Sequence, residues 1–531
     1  MSMKSKRKIL PLLLTVVMII GLLPATTALA DAVGDFDVIG GVLGVDFTYS
    51  DGVLTFVNPG DYTVSMLTPG ATTGDRIYVN STSGTKITLN GVNIDVSAIS
   101  GACAFDIDIV STVEIAVSGS ASSVLKSGAG KPGIRVVSNV SLTLTGDRTL
   151  RVYGGLSGAG IGGGTGENSG VININTSGII ETHGGGNGAG IGGGDGGSNG
   201  TVRIYNGDVR AYDGAYGAGI GGGNGGNGGN IYISGGTVLA QSVACGAGIG
   251  GGSGGSGTMV DITGGTINAL GGPGGTGQGG GAGIGGGASG GASGNIYISD
   301  GTVTASGNGD PDGNGGAGIG GGYYGNAQNI TIAGGTVTAI GGQNASGLGG
   351  GRWGAESDIY IAPVAGTFLD VCAGAAAPGY RLPGSPFSAS TSYEDESEYF
   401  HSEAYTPGFT VTGGAIGTDY TYNYNSGILT ITSGTEMTVS MTSPGTTTND
   451  TIAITSDIDA NITFSGVSID ASGASGACAL KIADGSSGNV NITLSGNNVL
   501  KSGNNCAGLQ KNGSDTGIGT LTISGSGALT A

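Results

Sequence analysis

A short segment between residues 202 and 213 concentrates charged and aromatic side chains that the chain otherwise uses sparingly. Only 10% of the 531 residues are charged and 5% are aromatic. We expect the following six side chains of the segment to lie on the outside of the fold: Arg203, Tyr205, Asp208, Arg210, Tyr212 and Asp213. Aromatic faces stack on sugar rings, and an arginine fork hydrogen-bonds hydroxyl or carboxylate groups. The segment is a candidate sugar-binding surface. The alternative is that these side chains only make packing contacts with neighbouring strands, as exposed strand residues commonly do.

The same segment is the nearest match in the chain to a catalytic carboxylate cluster. Asp208 lies close in sequence to two arginines and to Asp213, and a polysaccharide lyase or hydrolase needs carboxylates near an acid or base. Such clusters on exposed strands are more often surface ion pairs. The two histidines, His183 and His401, are not placed for a Ser-His-Asp set. We therefore expect no enzymatic activity.

A second chemical candidate is the sequence DPDGNG at 310–315, which begins like a calcium-binding loop. Asp310, Asp312 and Asn314 occupy the first, third and fifth ligand positions of an EF-hand. The twelfth position should hold a bidentate glutamate but is Gly321. We interpret the segment as a polar turn, with a weak calcium site as the alternative. We expect that the protein requires no cofactor, and calcium is the only ion that we consider as a ligand.

The elements that position these residues are set by a repeat. The sequence GAGIGGG begins at residues 158, 188, 217, 246, 281 and 316, and a degenerate GLGGG follows at 347–351. Glycine-rich phosphate loops occur once, between a strand and a helix, whereas this motif recurs every 29 to 35 residues with no helical period after it. Repetition at this period indicates a solenoid.

Between the motifs, each repeat contains two alternating runs separated by a glycine turn, as in IYISGGTVLA at 231–240. Alternation with period 2 predicts strands. The predicted fold is all-β: a parallel β-helix with about 29–35 residues per coil in the glycine array at 154–351. Val202, Ile204, Val209 and Ala211 should point inward above their equivalents 29 residues later. The predicted outward column is Asn173, Arg203, Tyr232, Asp261, Tyr297, Thr331 and Tyr360, whose three tyrosines would extend the binding surface.

The glycine motif itself predicts an unusual face. In each copy, alternation sends Ala and Ile inward and the glycines outward, which would leave nearly bare backbone on this side. Tight corners that require glycine explain the composition. The alternative is a flat face for close approach by another chain or a polymer.

A longer period predicts two tandem units. ITLNGVNID at 87–95 recurs as ITFSGVSID at 462–470, and VLKSG at 124–128 recurs at 499–503, both with an offset of 375. We predict a signal peptide at 1–30, a first β-helix unit at 31–377, a proline-rich acidic linker at 378–407 and a second unit at 408–531, apparently truncated. The protein should be exported, without membrane insertion, to the extracellular space or the cell surface.

Charge narrows the choice of partners. The net charge is −19, and removal of the four basic residues of the predicted signal peptide leaves −23. Such a surface repels nucleic acid.

We interpret Cys103 and Cys478, at matching places in the two units, as small buried residues. Cys245, Cys372 and Cys506 show no metal-ligand spacing, and the sequence leaves the disulfide status of all five open.

The segment ITLNGVNIDVSAISGACAFDI, followed by GAGIGGG arrays with ITIAGGTVTA spacers, resembles the carbohydrate-binding β-helix domains of clostridial-type bacterial surface proteins. The resemblance covers most of the chain after the signal peptide. It implies a right-handed coil and extracellular polysaccharide binding, often with calcium and without catalysis. The expected partner is a polysaccharide, acidic or from plant cell walls. A structural stalk or adhesin that binds a protein or another copy is the first alternative, and a polysaccharide lyase or hydrolase the second. The oligomeric state stays open.

Overall fold

The computed structural model describes residues 30–82, 84–107, 111–363, 368–375, 380–381, 391–392, 397–405, 407–416, 418–423, 426–484, 486–511 and 519–531. The chain divides into unit 1, which ends at Ala404, and unit 2, which begins at Tyr405. The predicted signal peptide lies outside the described residues except for Ala30. All regular structure in the described ranges is β-strand.

Unit 1 begins with coils whose strands are three to six residues long. They are Asp31–Val33 (β1), Phe36–Ile39 (β2), Phe47–Ser50 (β3), Val53–Phe56 (β4), Asp61–Met66 (β5), Arg76–Val79 (β6), Thr85–Asn90 (β7), Asn93–Asp95 (β8), Phe105–Ile107 (β9), Thr112–Val117 (β10), Ser123–Lys126 (β11), Ile134–Val136 (β12), Ser141–Gly146 (β13) and Leu150–Tyr153 (β14).

The glycine array follows, in which each motif contributes a two-residue strand. The strands are Ile161–Gly162 (β15), Val171–His183 (β16), Ile191–Gly192 (β17), Thr201–Tyr212 (β18), Ile220–Gly221 (β19), Asn230–Ile233 (β20), Thr237–Gln241 (β21), Ile249–Gly250 (β22), Met259–Leu270 (β23), Ile284–Gly285 (β24), Asn295–Ser306 (β25), Ile319–Gly320 (β26), Ile330–Ile332 (β27), Thr336–Ile340 (β28), Leu348–Gly349 (β29) and Ile359–Ile361 (β30). In β16, β18, β23 and β25 the two predicted runs join into one strand.

The end of unit 1 and the whole of unit 2 contain the remaining strands. They are Phe368–Gly374 (β31), Tyr380–Arg381 (β32), Thr391–Ser392 (β33), Tyr399–Tyr405 (β34), Phe409–Thr412 (β35), Tyr420–Asn423 (β36), Ile428–Ile431 (β37), Met437–Met441 (β38), Thr451–Ile454 (β39), Ala460–Ser465 (β40), Ser468–Asp470 (β41), Leu480–Ile482 (β42), Val490–Ser495 (β43), Asn497–Lys501 (β44), Leu509–Lys511 (β45), Leu521–Gly525 (β46) and Ala528–Thr530 (β47).

The coils of the array stack in parallel with the predicted register, so the fold is a parallel β-solenoid. Ile220 pairs with Ile191 on one side and with Ile249 on the other. Val202 pairs with Ile231 and Val209 with Val238, and all four side chains are buried. Each coil therefore buries like residues over like residues. The apolar columns of unit 1 form one continuous core.

The glycine motif differs from its prediction. All seven residues of each GAGIGGG copy are buried, so these glycines do not form an exposed bare face. A Cβ atom on Gly188 would overlap the carbonyl oxygen of Gly158 in the preceding coil, and one on Gly221 would overlap that of Gly250 in the next coil. The missing side chains therefore let neighbouring coils approach each other along the axis. The proposed flat face for a polymer does not exist here.

Both ends of unit 1 are closed by antiparallel pairs. At the start, β2 pairs antiparallel with β5, and β3 with β4. At the end, β34 pairs antiparallel with β28, and β33 with β30. The Phe400 side chain is fully buried in the core of unit 1. The predicted linker at 378–407 is thus wrong over β33 and β34, because these strands cover the edge of the last coil.

Unit 2 repeats the first coils of unit 1 around its own core. The antiparallel pair β36–β37 is followed by parallel strands β39, β42 and β45, as the pair β3–β4 is followed by β6, β9 and β12. Across the described ranges, no helix is long and apolar enough to cross a membrane.

Candidate functional site

The predicted sugar-binding segment lies on β18, where alternation turns most of its charged and aromatic side chains outward. Tyr205 is 50% exposed, whereas Arg203, Asp208, Arg210 and Tyr212 are half-buried. Arg210 donates two hydrogen bonds to the Asp208 carboxylate, at 3.0 and 2.7 Å. The fork predicted to recognise a ligand is therefore already occupied by a neighbour on the same strand.

The predicted outward column is present in the predicted register. Arg203 pairs with Tyr232, and Asp261 lies between Tyr232 and Tyr297. The Arg203 guanidinium lies 5.2 Å from the centroid of the Tyr232 ring and covers one of its faces. Tyr297 and Tyr360 are 43% and 38% exposed, with Thr331 between them. The rings of this column are separated and do not form a continuous stacking surface.

A second column forms an aromatic ladder. The Tyr153 and His183 rings stack at 4.7 Å, and the His183 and Tyr212 rings at 5.0 Å, with interplanar angles of 3° and 16°. Both faces of the His183 ring and one face each of the Tyr153 and Tyr212 rings are therefore covered by a neighbouring ring. The ladder stabilises the stacking of coils, and His183 already occupies one face of the Tyr212 ring.

The prediction that Asp213 lies outside is wrong. Its side chain is only 4% exposed, because the alternation of β18 continues one residue past the strand end and turns residue 213 inward. The carboxylate accepts hydrogen bonds from the Ser242 hydroxyl at 2.8 Å and from the Val243 N–H at 2.6 Å. Asp213 therefore belongs to the interior of a coil corner and to no surface cluster.

Asp213 should make stability depend on pH. Burial raises its pKa to about 7, although the two hydrogen bonds act in the opposite direction. An aspartate in an unfolded chain titrates near 4, so the folded chain binds this proton more tightly between about pH 4 and 7. Raising the pH through this window should lower the free energy of unfolding by on the order of 2 to 4 kcal/mol. Urea unfolding at several pH values measures this change.

The Asp213→Asn variant isolates the effect from that of the other acidic groups. It keeps the side-chain shape but has no proton to lose, so its stability should fall less between pH 4 and 7. Equal falls in the variant and in the wild-type chain would contradict the assignment.

The turn after each glycine motif reveals a site that the sequence analysis missed. One position of this turn has a positive φ in every coil of the array. In order along the axis it holds Gly166, Gly196, Gly225, Gly254, Ser289, Tyr324 and Trp353, with φ between 62° and 76°. Bulky side chains are strained in this region, whereas glycine is not. The last two coils therefore place aromatic residues where the first four have glycine.

These two residues and their neighbours form a group that we call the aromatic turn cluster: Tyr323, Tyr324, Arg352 and Trp353. Trp353 is 68% exposed and Tyr324 is 56% exposed. The Tyr323 and Tyr324 ring centroids lie 4.2 Å apart, and the Arg352 guanidinium lies 5.1 Å from the Trp353 ring. The Tyr324 N–H donates to the Arg352 carbonyl at 3.0 Å, which ties the two turns together. The cluster exposes aromatic surface on two adjacent coils.

A polar cleft of about 250 Å³ adjoins the cluster and is lined by Arg352, Trp353, Asn344, Glu356 and Glu398 among others. Glu356 accepts hydrogen bonds from the Ser346 hydroxyl at 2.8 Å and from the Gly350 N–H at 3.1 Å. An exposed ring beside carboxylate and amide groups is the combination that binds a sugar face and its hydroxyls.

The 310–315 loop, interpreted as a polar turn with a weak calcium site as the alternative, supports this cluster. Arg352 Nη1 donates to the Asp312 and Gly313 carbonyls at 3.0 and 3.1 Å and to Asn314 Oδ1 at 2.8 Å. The Asp310 carboxylate is buried and accepts five N–H groups from within the loop and from the 277–279 turn. Burial opposes its ionisation, but these donors outweigh burial and lower the pKa of Asp310. Of the three predicted ligands, Asn314 is thus bound by a guanidinium and the Asp310 carboxylate by N–H donors, and calcium binding here stays a prediction.

Comparison with known families agrees with this geometry. A model described as a beta helix repeat matches residues 202–224, 231–253, 296–323 and 330–352. The chain contains beta helix repeats. No curated protein and no solved structure matches it.

Each matched beta helix repeat falls within one coil of the array. Each matched segment begins at the first strand of a coil and ends just after the glycine motif. The last two matched segments end at Tyr323 and Arg352, so the aromatic turn cluster lies where these repeats end. Within the described ranges, no group of three His, Cys, Asp or Glu residues could hold a metal ion.

The sequence contained a signal for the cluster. Aligning the residues after each motif gives TG, DG, NG, SG, AS, YY and RW, so the loss of glycine at the second position is visible. Only the strand columns were considered as binding surfaces, so the tyrosines of the strands were predicted and those of the turns were not.

Proposed function

We propose that this chain is an exported, non-catalytic module that binds polysaccharide at the aromatic turn cluster. One observation supports this most: Tyr324 and Trp353 expose large rings at turn positions with positive φ, where earlier coils have glycine. Strain of this kind costs on the order of 1 kcal/mol per residue and persists where the residue serves a function. The proposal relocates the predicted site from the strand columns to the turns.

The rigid solenoid suits a polymer as ligand. Adjacent coils lie about 4.8 Å apart, so Tyr324 and Trp353 can contact neighbouring parts of one sugar chain. The Arg352 guanidinium supplies a positive charge in a strongly acidic protein, and a carboxylated polymer would need such a charge or a bound cation. The resemblance to carbohydrate-binding β-helix domains adds two further parts to the proposal: the protein is extracellular, and calcium can assist its binding of polysaccharide.

Replacing Trp353 with alanine should lower retention on the bound polymer about tenfold, because an aromatic–sugar contact contributes about 1 to 1.5 kcal/mol. The measurement is retention of the purified chain on cellulose, xylan and polygalacturonate, each with calcium and with chelator. Tyr324→Ala should act in the same direction.

Two matched controls locate the site. Tyr205→Ala and Tyr297→Ala remove exposed tyrosines from the strand columns and should leave retention within about twofold of the wild-type chain. If these variants lose binding and Trp353→Ala does not, the site is the strand surface first predicted. If no polymer retains the chain under any condition, the structural stalk or adhesin becomes the better proposal, and loss of polymer length over time would favour a lyase or hydrolase.

A further inference from the structure

Two cysteines face each other in unit 2. The Cys478 and Cys506 sulfurs lie 2.6 Å apart, on adjacent coils. Backbone hydrogen bonds fix these coils on both sides: Gly476 N–H donates to the Asn504 carbonyl at 3.1 Å, and Leu480 N–H to the Gly508 carbonyl at 3.0 Å. Neighbouring strands are about 4.8 Å apart, within the Cα separation that a disulfide needs. The backbone would not have to move to join them.

Unit 1 provides an internal comparison. Cys103 is the equivalent of Cys478, and the position equivalent to Cys506 holds Lys131. The Cys103 thiol is buried and donates to the carbonyls of Phe105 and Pro132 at 3.3 and 3.2 Å. Cys103 is thus a small buried residue, as predicted, whereas the same prediction for Cys478 is wrong, because Cys478 is only half-buried. Unit 2 has a thiol where unit 1 has a lysine, so the pair is specific to unit 2.

The pair is also accessible. Both cysteines are half-exposed and line a cleft of about 630 Å³ together with Asp470, Lys481 and Gln510. A small disulfide or a thiol oxidant can therefore reach either sulfur from solvent. By contrast, Cys103 is only 4% exposed.

We propose that Cys478 and Cys506 form a disulfide that links two adjacent coils of unit 2. In the reaction, a thiolate of the pair attacks an external disulfide and releases one thiol, and the second thiolate then displaces the other. The S–S bond forms as the two cysteines lose two protons and two electrons, which the external disulfide takes up. An oxidising extracellular environment favours such bonds.

The cross-link would join two adjacent coils of unit 2. A disulfide that closes one coil restricts the unfolded chain and so stabilises the folded one. Its effect on unit 2 does not depend on any sugar ligand, so it can be tested separately from the proposed function.

The test is thiol mapping of the full chain. The purified chain is incubated with glutathione disulfide at pH 8, denatured, treated with N-ethylmaleimide and digested without reductant. Burial raises the pKa of the Cys478 thiol to about 11, so an alkaline pH speeds the reaction. Mass spectrometry should find one peptide pair joined through Cys478 and Cys506. Both residues blocked by N-ethylmaleimide, or joined to other cysteines, would overturn the proposal.

Two variants and one stability measurement sharpen the result. Cys506→Ser should leave Cys478 without a peptide partner, either blocked by N-ethylmaleimide or joined to glutathione. Cys103→Ser, the matched change in unit 1, should leave the joined pair intact. Reductant should lower the melting temperature of unit 2 by about 5 to 15 °C in the wild-type chain and not in Cys506→Ser. An equal melting temperature with and without reductant in the wild-type chain overturns the stabilising role.

Discussion

Replacing Gly221 with alanine is expected to destabilise unit 1 by about 2 to 6 kcal/mol. The φ angle of Gly221 is 144°, and its new Cβ would overlap the carbonyl oxygen of Gly250 in the next coil. Backbone strain at such a φ costs about 1 to 3 kcal/mol, and overpacking against a fixed backbone costs a similar amount. Urea unfolding of the full chain followed by circular dichroism measures the loss.

A variant at a nearby glycine distinguishes the cost of the steric overlap from the cost of the positive φ angle. Gly225 also has a positive φ, 73°, but nothing lies within 4 Å of the position where its Cβ would be. Gly225→Ala should therefore cost only about 1 to 2 kcal/mol. If the two variants lose equal stability, coil-to-coil contact is not the reason for the buried glycines.

Replacing Phe400 with alanine is expected to destabilise unit 1 by about 3 to 5 kcal/mol. The Phe400 ring is fully buried against the last coil, and deleting a buried phenylalanine costs this much through lost burial and the cavity left behind. The strand that contains it also covers the edge of β28. Thermal unfolding and light scattering together measure stability and the aggregation that an uncovered edge promotes.

The neighbouring residue gives the matched control. Tyr399 lies on the same strand, points to the opposite face and is half-buried. Tyr399→Ala should cost about 1 kcal/mol and leave the edge covered. A Phe400→Ala variant as stable as Tyr399→Ala would mean that residues 399–405 do not close the solenoid.

The repeat made the array predictable in detail. Residues one coil apart occupy the same place on the solenoid, so the sequence period gave the register directly, and the pairing of Arg203 with Tyr232 and of Ile220 with Ile249 follows it. Alternation within each strand then identified Val202, Ile204 and Val209 as buried. Asp213 was misplaced because the alternation was not followed past the end of the strand.

The glycines were misplaced for a different reason. Alternation describes which way a side chain points relative to the sheet, and a two-residue strand such as β19 is too short for it to apply. What decides these positions is how close the next coil lies, since a Cβ on Gly221 would overlap the Gly250 carbonyl oxygen. That separation follows from the stacked backbone and not from a local pattern.

By itself, the sequence determined the all-β class, the coil length, the register of the array and its buried columns, because stacking repeats one local pattern along an axis. Only the tertiary structure decided which side chains meet outside that pattern. Arg352 donates hydrogen bonds to oxygens of the 310–315 loop, Phe400 packs against the last coil, and Cys478 faces Cys506. These contacts involve turns and connecting segments. Their positions do not follow from the repeat period of the sequence. The aromatic turn cluster combines both kinds of information. The repeat in the sequence shows which residues replace glycine, and the fold sets how exposed these residues are.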